Sequence, residues 1–325
     1  MEYTVSPVTR AARHTLSRIG LAYFLFFAIA LGGQLLLLLL VELFAPGFSE
    51  SLPGSWLLSL FPMYGMALPV FYLLLRPLKA AVPEKRRLRP VHLLLFFLIA
   101  YAVLYVSNLL GSLINLATEA VTGVSSSADA IEMIEASPLG YTLLFAVLLG
   151  PMMEELMFRR LLLFRLLPFG EGFAILVSSL LFALFHANLA QFFYAFAVGA
   201  VLAYVTVKTG KLRYPILLHC AVNFCGSILP LLVLRGVSLD LPEGEMTAEG
   251  FLSLLPSLLL LLAYLGTVLV VVAVGLFLLV RTLRRVRLAP APVPIPREER
   301  RHLLLSPGML LLTLTVLGTF FLSYL

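Results

Sequence analysis

Uninterrupted apolar runs of twenty residues or more decide what this chain can fold into. Residues 19–44 form one, with six consecutive leucines at 35–40. About 20 such residues are enough to cross the roughly 30 Å hydrocarbon core of a bilayer as a helix. In lipid every backbone polar group needs an internal partner, so only helices and closed barrels span it. These runs are too long and too continuous for barrel strands. The expected fold is therefore all-α: a polytopic transmembrane helix bundle of eight or nine spans, over residues 19–44, 56–75, 91–117, 141–166, 172–186, 190–208, 214–234, 251–280 and 303–325. The count is eight if the first or last run does not cross. Composition agrees, with 61% hydrophobic and 12% charged residues, about half the charged fraction of a soluble domain. Cys220 and Cys225 imply no disulfide framework. The apolar runs divide into a three-span region (1–137), a four-span core (138–235) and a C-terminal region of one or two spans (236–325).

Charge sets the orientation. With alternate loops assigned to alternate sides, every one of the 23 lysines and arginines except Arg235 falls on the side of the N terminus. A Lys/Arg excess marks the cytoplasmic face, so the N terminus is expected inside. The net charge of +6 is thus a topology signal. A nucleic-acid surface would need the charges clustered on one exposed face, and no nucleic-acid partner is expected. The partners implied are the lipid bilayer and a peptide or protein substrate at the membrane. The expected location is an integral membrane position, in a bacterial plasma membrane.

A few polar residues interrupt the apolar runs: Glu154, Glu155, Arg159, His186, His219 and Asn223. Ionisable side chains cost about 2.5–3.5 kcal/mol each at mid-membrane, so they need partners and usually a function. Glu155 and Arg159 are four apart with the acid first, the favourable order for a pair on one helix face. That pairing leaves Glu154 free to point elsewhere. His219 and Asn223 share a face by the same spacing, as do Phe182 and His186. Pro151 lacks a backbone donor and is expected to kink its helix next to the acidic pair. Counted from the basic ends of their spans at ~1.5 Å per residue, Glu154, His186, His219 and Asn223 lie about 16, 21, 9 and 15 Å deep. Three helices bring them to overlapping depths. Ala195, Gly199 and Ala203 form a small-residue stripe that admits a close helix neighbour. Trp56, at the start of a span, suits an interface anchor.

The order Glu-Glu-x-x-x-Arg, Phe-x-x-x-His, His-x-x-x-Asn resembles the CPBP family of intramembrane proteases, which includes the type II CAAX prenyl endopeptidases. The resemblance covers roughly residues 140–235. It implies an endopeptidase cutting near a membrane-embedded or lipidated segment, with Glu154 as the base that activates water and His186 as its helper. It further implies that His219 and Asn223 steady the oxyanion and that Glu155 and Arg159 form a structural pair. The cavity is expected to open to the cytoplasmic side. Hydrolysis needs such a base and such donors. No cofactor is assumed. Zinc is the alternative, with Glu154, His186 and His219 as ligands, since two histidines and a glutamate form a common zinc set. A membrane transporter, with the same buried groups relaying protons or binding a cation, is the competing function.

Overall fold

The computed structural model describes residues 6–124, 137–237 and 248–322. Most of the acidic loop expected after residue 118 and most of that after Arg235 lie outside the described residues. The chain is an integral membrane helix bundle. Its main helices are α1 (Pro7–Phe44), α2 (Leu52–Leu75), α3 (Pro90–Thr122), α4 (Leu139–Phe169), α5 (Glu171–Phe185), α6 (Leu189–Thr209), α7 (Arg213–Arg235), α8 (Ala248–Leu283) and α9 (Pro307–Leu322). Seven are long and apolar enough to cross a membrane; α5 and α9, with 15 and 16 residues, are shorter. Outward-facing Leu35, Leu39, Leu43, Leu262 and Leu269 are more than half exposed, as a lipid-facing surface requires.

Helix α1 starts twelve residues before its apolar run. Ser6 caps it, Pro7 occupies its first turn, and Ala12, Leu16 and Ile19 are buried along one face. The last apolar run is also modified. A short helix, Arg301–Leu304, precedes α9, and α9 crosses α1 at Gly20 and Gly308, where a Cβ on either glycine would collide with the other helix's backbone.

The basic segments meet at one end of the bundle. The Ala81 N–H donates to the Phe164 carbonyl at 2.7 Å, and that of Arg86 to Thr209 at 2.9 Å. The Arg165 guanidinium donates to the Leu75 carbonyl at 2.7 Å, and that of Arg18 to Leu74 at 2.5 Å. Lys208 pairs with Glu171 at 2.5 Å and donates to the Arg287 carbonyl at 2.9 Å. Arg165 and Arg18 thus satisfy carbonyls that the C-terminus of α2 leaves orphaned. The alternation of sides read from the loops is therefore the alternation of the fold.

Glu299 closes this end. Its carboxylate accepts from the Ser6 backbone N–H at 3.2 Å and from the Ser6 hydroxyl at 2.5 Å, and these bonds hold its carboxyl below the usual range. A carboxyl whose pKa is lower folded than unfolded stabilises the fold above the unfolded value, and that contribution is lost as pH falls through the folded one. Melting of the detergent-solubilised protein should therefore fall more steeply between neutral pH and about pH 3 for the wild type than for Glu299→Gln. Identical profiles would show that the clasp carries no pH-dependent stability.

Candidate active site

The site sits where α4, α5, α6 and α7 meet. The small-residue stripe works as expected: Ala195, Gly199 and Ala203 are buried, and a Cβ on Gly199 would come within 2.9 Å of the Phe182 ring. The close approach seats Phe182 between the two imidazoles. Its ring lies edge-on to His186 at 5.1 Å and to His219 at 5.6 Å, with the Arg159 guanidinium 5.1 Å from its centroid.

Glu155 and Arg159 are fully buried and paired, Nε to Oε2 at 2.9 Å. Arg159 also donates Nη1–H to Ser178 Oγ at 2.9 Å, and Ser178 donates onward to the Phe158 carbonyl at 3.0 Å. His219 Nδ1 lies 3.1 Å from Glu155 Oε1, and its Nε2 lies 3.7 Å from Glu154 Oε2. The first distance is a hydrogen bond and the second is not. The imidazole is therefore bonded to the ion pair, with Nε2 beside Glu154 but not committed to it.

Glu154 points away from the pair, as the spacing implied, and lines a cavity of about 580 Å³. His186, His219 and Asn223 line the same cavity, while Glu155 and Arg159 stand behind it. Four of the six expected residues thus converge. His186 Nδ1 is 2.9 Å from the Phe182 carbonyl. A carbonyl only accepts, so Nδ1 carries the proton and Nε2 is left for the cavity. The next two residues make the tight turn into α6. Ala187 adopts a left-handed φ of 55°, and Asn188 caps α6 by accepting from the Gln191 N–H at 2.8 Å while donating to the His186 carbonyl at 2.8 Å. Asn188 thus has a turn role.

Pro151 leaves a carbonyl of α4 without its backbone donor. Residues Leu143–Leu149 form a π-helical stretch in which the Gly150 N–H bonds back five residues to the Phe145 carbonyl. The same step would pair the Ala146 carbonyl with residue 151, which as proline has no N–H. The Asn223 side chain fills the gap, donating Nδ2–H to the Ala146 carbonyl at 3.0 Å. One amide hydrogen of Asn223 is therefore structural and the other remains. Asn223→Ala should lower stability by about 0.5–1.5 kcal/mol, the net worth of a typical hydrogen bond, since this one is part-buried; an unchanged unfolding midpoint would show that the bond contributes nothing. Further π-helical stretches, Phe61–Ala67 and Phe224–Ile228, also border the cavity, as such bulges often do at functional sites.

Some residues at the site were not singled out from the sequence. Tyr64 on α2 donates its hydroxyl to Glu154 Oε1 at 3.4 Å. Tyr105 and Tyr264 join their hydroxyls at 3.1 Å across the wall, and Tyr194 faces the same space. Tyrosines belong at membrane interfaces, so tyrosines at mid-span were the available signal. Tyr64→Phe should lower any Glu154-dependent turnover by about tenfold, since a bond this long to a carboxylate is worth roughly 1.4 kcal/mol at most. An unaltered rate would remove Tyr64 from the site. Trp56 is not an interface anchor. It is buried, stacks on Phe145 at 4.9 Å and donates its indole N–H to Ser137 Oγ at 3.0 Å. Among the described residues, no group of three His, Cys, Asp or Glu side chains is placed to hold a metal ion. Glu154, His186 and His219, the ligands of the zinc alternative, all line the cavity but do not form such a group.

The cavity also differs from expectation in direction. On α2, Trp56 and Leu60 lie in the half away from the basic loops and Tyr64 at the middle, and Gln191 on α6 also lies in the half away from them. Toward the basic loops, buried Phe71, Phe158, Leu162, Leu202 and Leu218 close it.

Residues 136–225 match the family described as "Type II CAAX prenyl endopeptidase Rce1-like". All six residues of the site fall inside this Rce1-like segment. The chain is also 30% identical over 94 residues to "Putative membrane peptidase YdiL" of Bacillus subtilis (strain 168), across 29% of this chain and 38% of that protein. The matched region is thus less than half of that relative. No solved structure matches the chain significantly. Both matches are to peptidases, and each covers less than a third of the chain. Tyr64, Trp56, Tyr105 and Tyr264 come to the cavity from outside it.

Proposed function

We propose that this protein is an intramembrane endopeptidase that hydrolyses a peptide bond near a membrane-embedded or lipid-anchored segment. The observation that carries the reading is the convergence of Glu154, His186, His219 and Asn223 on one cavity within the bundle. In this reading the Glu154 carboxylate takes a proton from a water molecule as the water oxygen attacks the scissile carbonyl. The carbonyl oxygen becomes an oxyanion and the carbon tetrahedral. The free Asn223 amide hydrogen faces that oxygen as a donor, and His219, whose Nδ1–H is given to Glu155, adds an Nε2–H only as the imidazolium. Collapse of the intermediate breaks the C–N bond, and the proton held by Glu154 passes to the leaving amine. His186, fixed by the Phe182 carbonyl, orients the attacking water through Nε2. Glu155 and Arg159 touch no substrate; they hold His219 in place. No step is assigned to a metal.

A transporter would need a path to both sides, and the buried layer beneath Glu154 speaks against one. The test is a comparison of peptide termini in membranes of cells carrying the wild type and Glu154→Ala. Termini that vanish with Glu154 identify substrates. Identical termini, together with ion or solute flux by the reconstituted protein, would replace the protease reading with the transporter.

A further inference from the structure

We propose that the cavity faces the side of the membrane opposite the cytoplasm, so that its substrate class is exported or membrane-inserted polypeptide, cut at a segment presented on that side. The proposal rests on the endopeptidase reading for its chemistry, and on independent geometry for its direction. Glu154 stands midway along α4, 15 residues from either end at Leu139 and Phe169. From this floor the lining runs away from the basic loops. Trp56 lies one turn inside the start of α2, Gln191 two residues inside α6, and His186 just past the last residue of α5, about 22 Å from Glu171 at ~1.5 Å per residue. The α5–α6 turn beside it abuts α3 at Gly111, where a Cβ would meet the Ala190 carbonyl oxygen at 2.5 Å. Gly111 is itself 21 residues from Pro90 at the basic end, about 32 Å along the helix.

The other direction is closed twice. Packed side chains form the first barrier: Phe158 and Leu162 below Glu154, Leu218 and Tyr214 below His219, Leu202 and Val205 below Val198, all buried. The 76–90 segment forms the second. It is tied across the basic end by the Ala81, Arg86 and Leu88 N–H groups, which donate to the Phe164 carbonyl, the Thr209 carbonyl and the Tyr214 hydroxyl at 2.7, 2.9 and 3.0 Å. All lysines and arginines but Arg235 belong to this closed end or the helices leading to it, and that excess marks it as cytoplasmic. Among the described residues the cavity wall holds no lysine or arginine, and Glu154 is its one carboxylate. An uncharged segment rich in apolar or aromatic side chains fits such a wall. A prenylated tail presented from the cytoplasm meets the closed end instead.

The direction is read by thiol labelling of the full-length chain, without reference to activity. In a Cys220→Ala/Cys225→Ala background, Gln191→Cys reports the cavity and Lys85→Cys the basic end. A membrane-impermeant maleimide is applied to spheroplasts before and after permeabilisation. The expected result is that Gln191→Cys labels equally in both conditions, while labelling of Lys85→Cys rises more than tenfold on permeabilisation. Labelling of Gln191→Cys that requires permeabilisation overturns the proposal, as does labelling of Lys85→Cys in intact spheroplasts. Ser227→Cys, on a separate helix of the wall, repeats the measurement if Gln191→Cys does not accumulate; protection of both wall positions in both conditions also overturns it. If labelling comes out as expected but loss of Glu154 leaves membrane-protein termini unchanged, the direction stands and the endopeptidase reading falls.

Discussion

Glu154→Gln is expected to abolish peptide hydrolysis by the purified protein, a loss of about 10²–10⁴-fold from removal of the general base, while leaving its melting temperature within a few degrees of wild type. The amide keeps the carboxylate's shape and its oxygen still accepts from the Tyr64 hydroxyl, which lies 3.4 Å from Glu154 Oε1. What disappears is the capacity to take a proton from water. The fold should tolerate the change because Glu154 faces the cavity and His219 Nε2 is 3.7 Å away, beyond hydrogen-bond length. A variant that retains a tenth or more of the wild-type rate would remove Glu154 from the base role. One that loses both activity and melting temperature would place it in the scaffold instead.

Glu155→Ala should act in the opposite way, through stability. Glu155 is fully buried and accepts from both Arg159 and His219, at 2.9 and 3.1 Å. Its removal leaves a fully buried guanidinium with the Ser178 hydroxyl at 2.9 Å and no opposite charge. Breaking a buried pair from one side costs about 3–5 kcal/mol, a large share of the ~5–15 kcal/mol that holds a typical fold together. Reversible unfolding in mixed detergent would measure it. Replacing both partners, Glu155→Met with Arg159→Met, should recover much of the loss, because no uncompensated charge remains. Activity should stay low in the double variant, since His219 still lacks its Nδ1 acceptor. A single variant as stable as the wild type would mean that water or another group reaches Arg159.

The two glutamates illustrate which features were local. They are adjacent, and the helical repeat alone sends one toward Arg159 and the other about 100° round the helix. The same repeat put His219 beside Asn223 and Phe182 beside His186. It also made the Ala195, Gly199 and Ala203 stripe recognisable before any neighbour was known. These are consequences of one helix at a time. The contact between His219 and Glu155 is not, because it joins residues 64 apart along the chain, and no spacing rule reaches that far. Tyr64 escaped notice for the same reason: it meets Glu154 from a helix 90 residues earlier. Trp56 looked like an interface anchor because its neighbour Phe145 is equally distant in sequence.

What the chain's sequence determined by itself was the solvent it folds in, the helical class, the alternation of sides and the identity of the polar residues. Each follows from a local property: apolar length against bilayer thickness, loop charge, or the ~3.6-residue turn. The tertiary structure decided which of those polar residues share a cavity, that Asn223 must stand in for the hydrogen that Pro151 lacks, and that the cavity extends away from the basic loops rather than toward them. Those depend on which helix faces meet and where large side chains fill the space between them. That packing is settled by the whole bundle at once, because a close-packed interior has room for one arrangement of its neighbours.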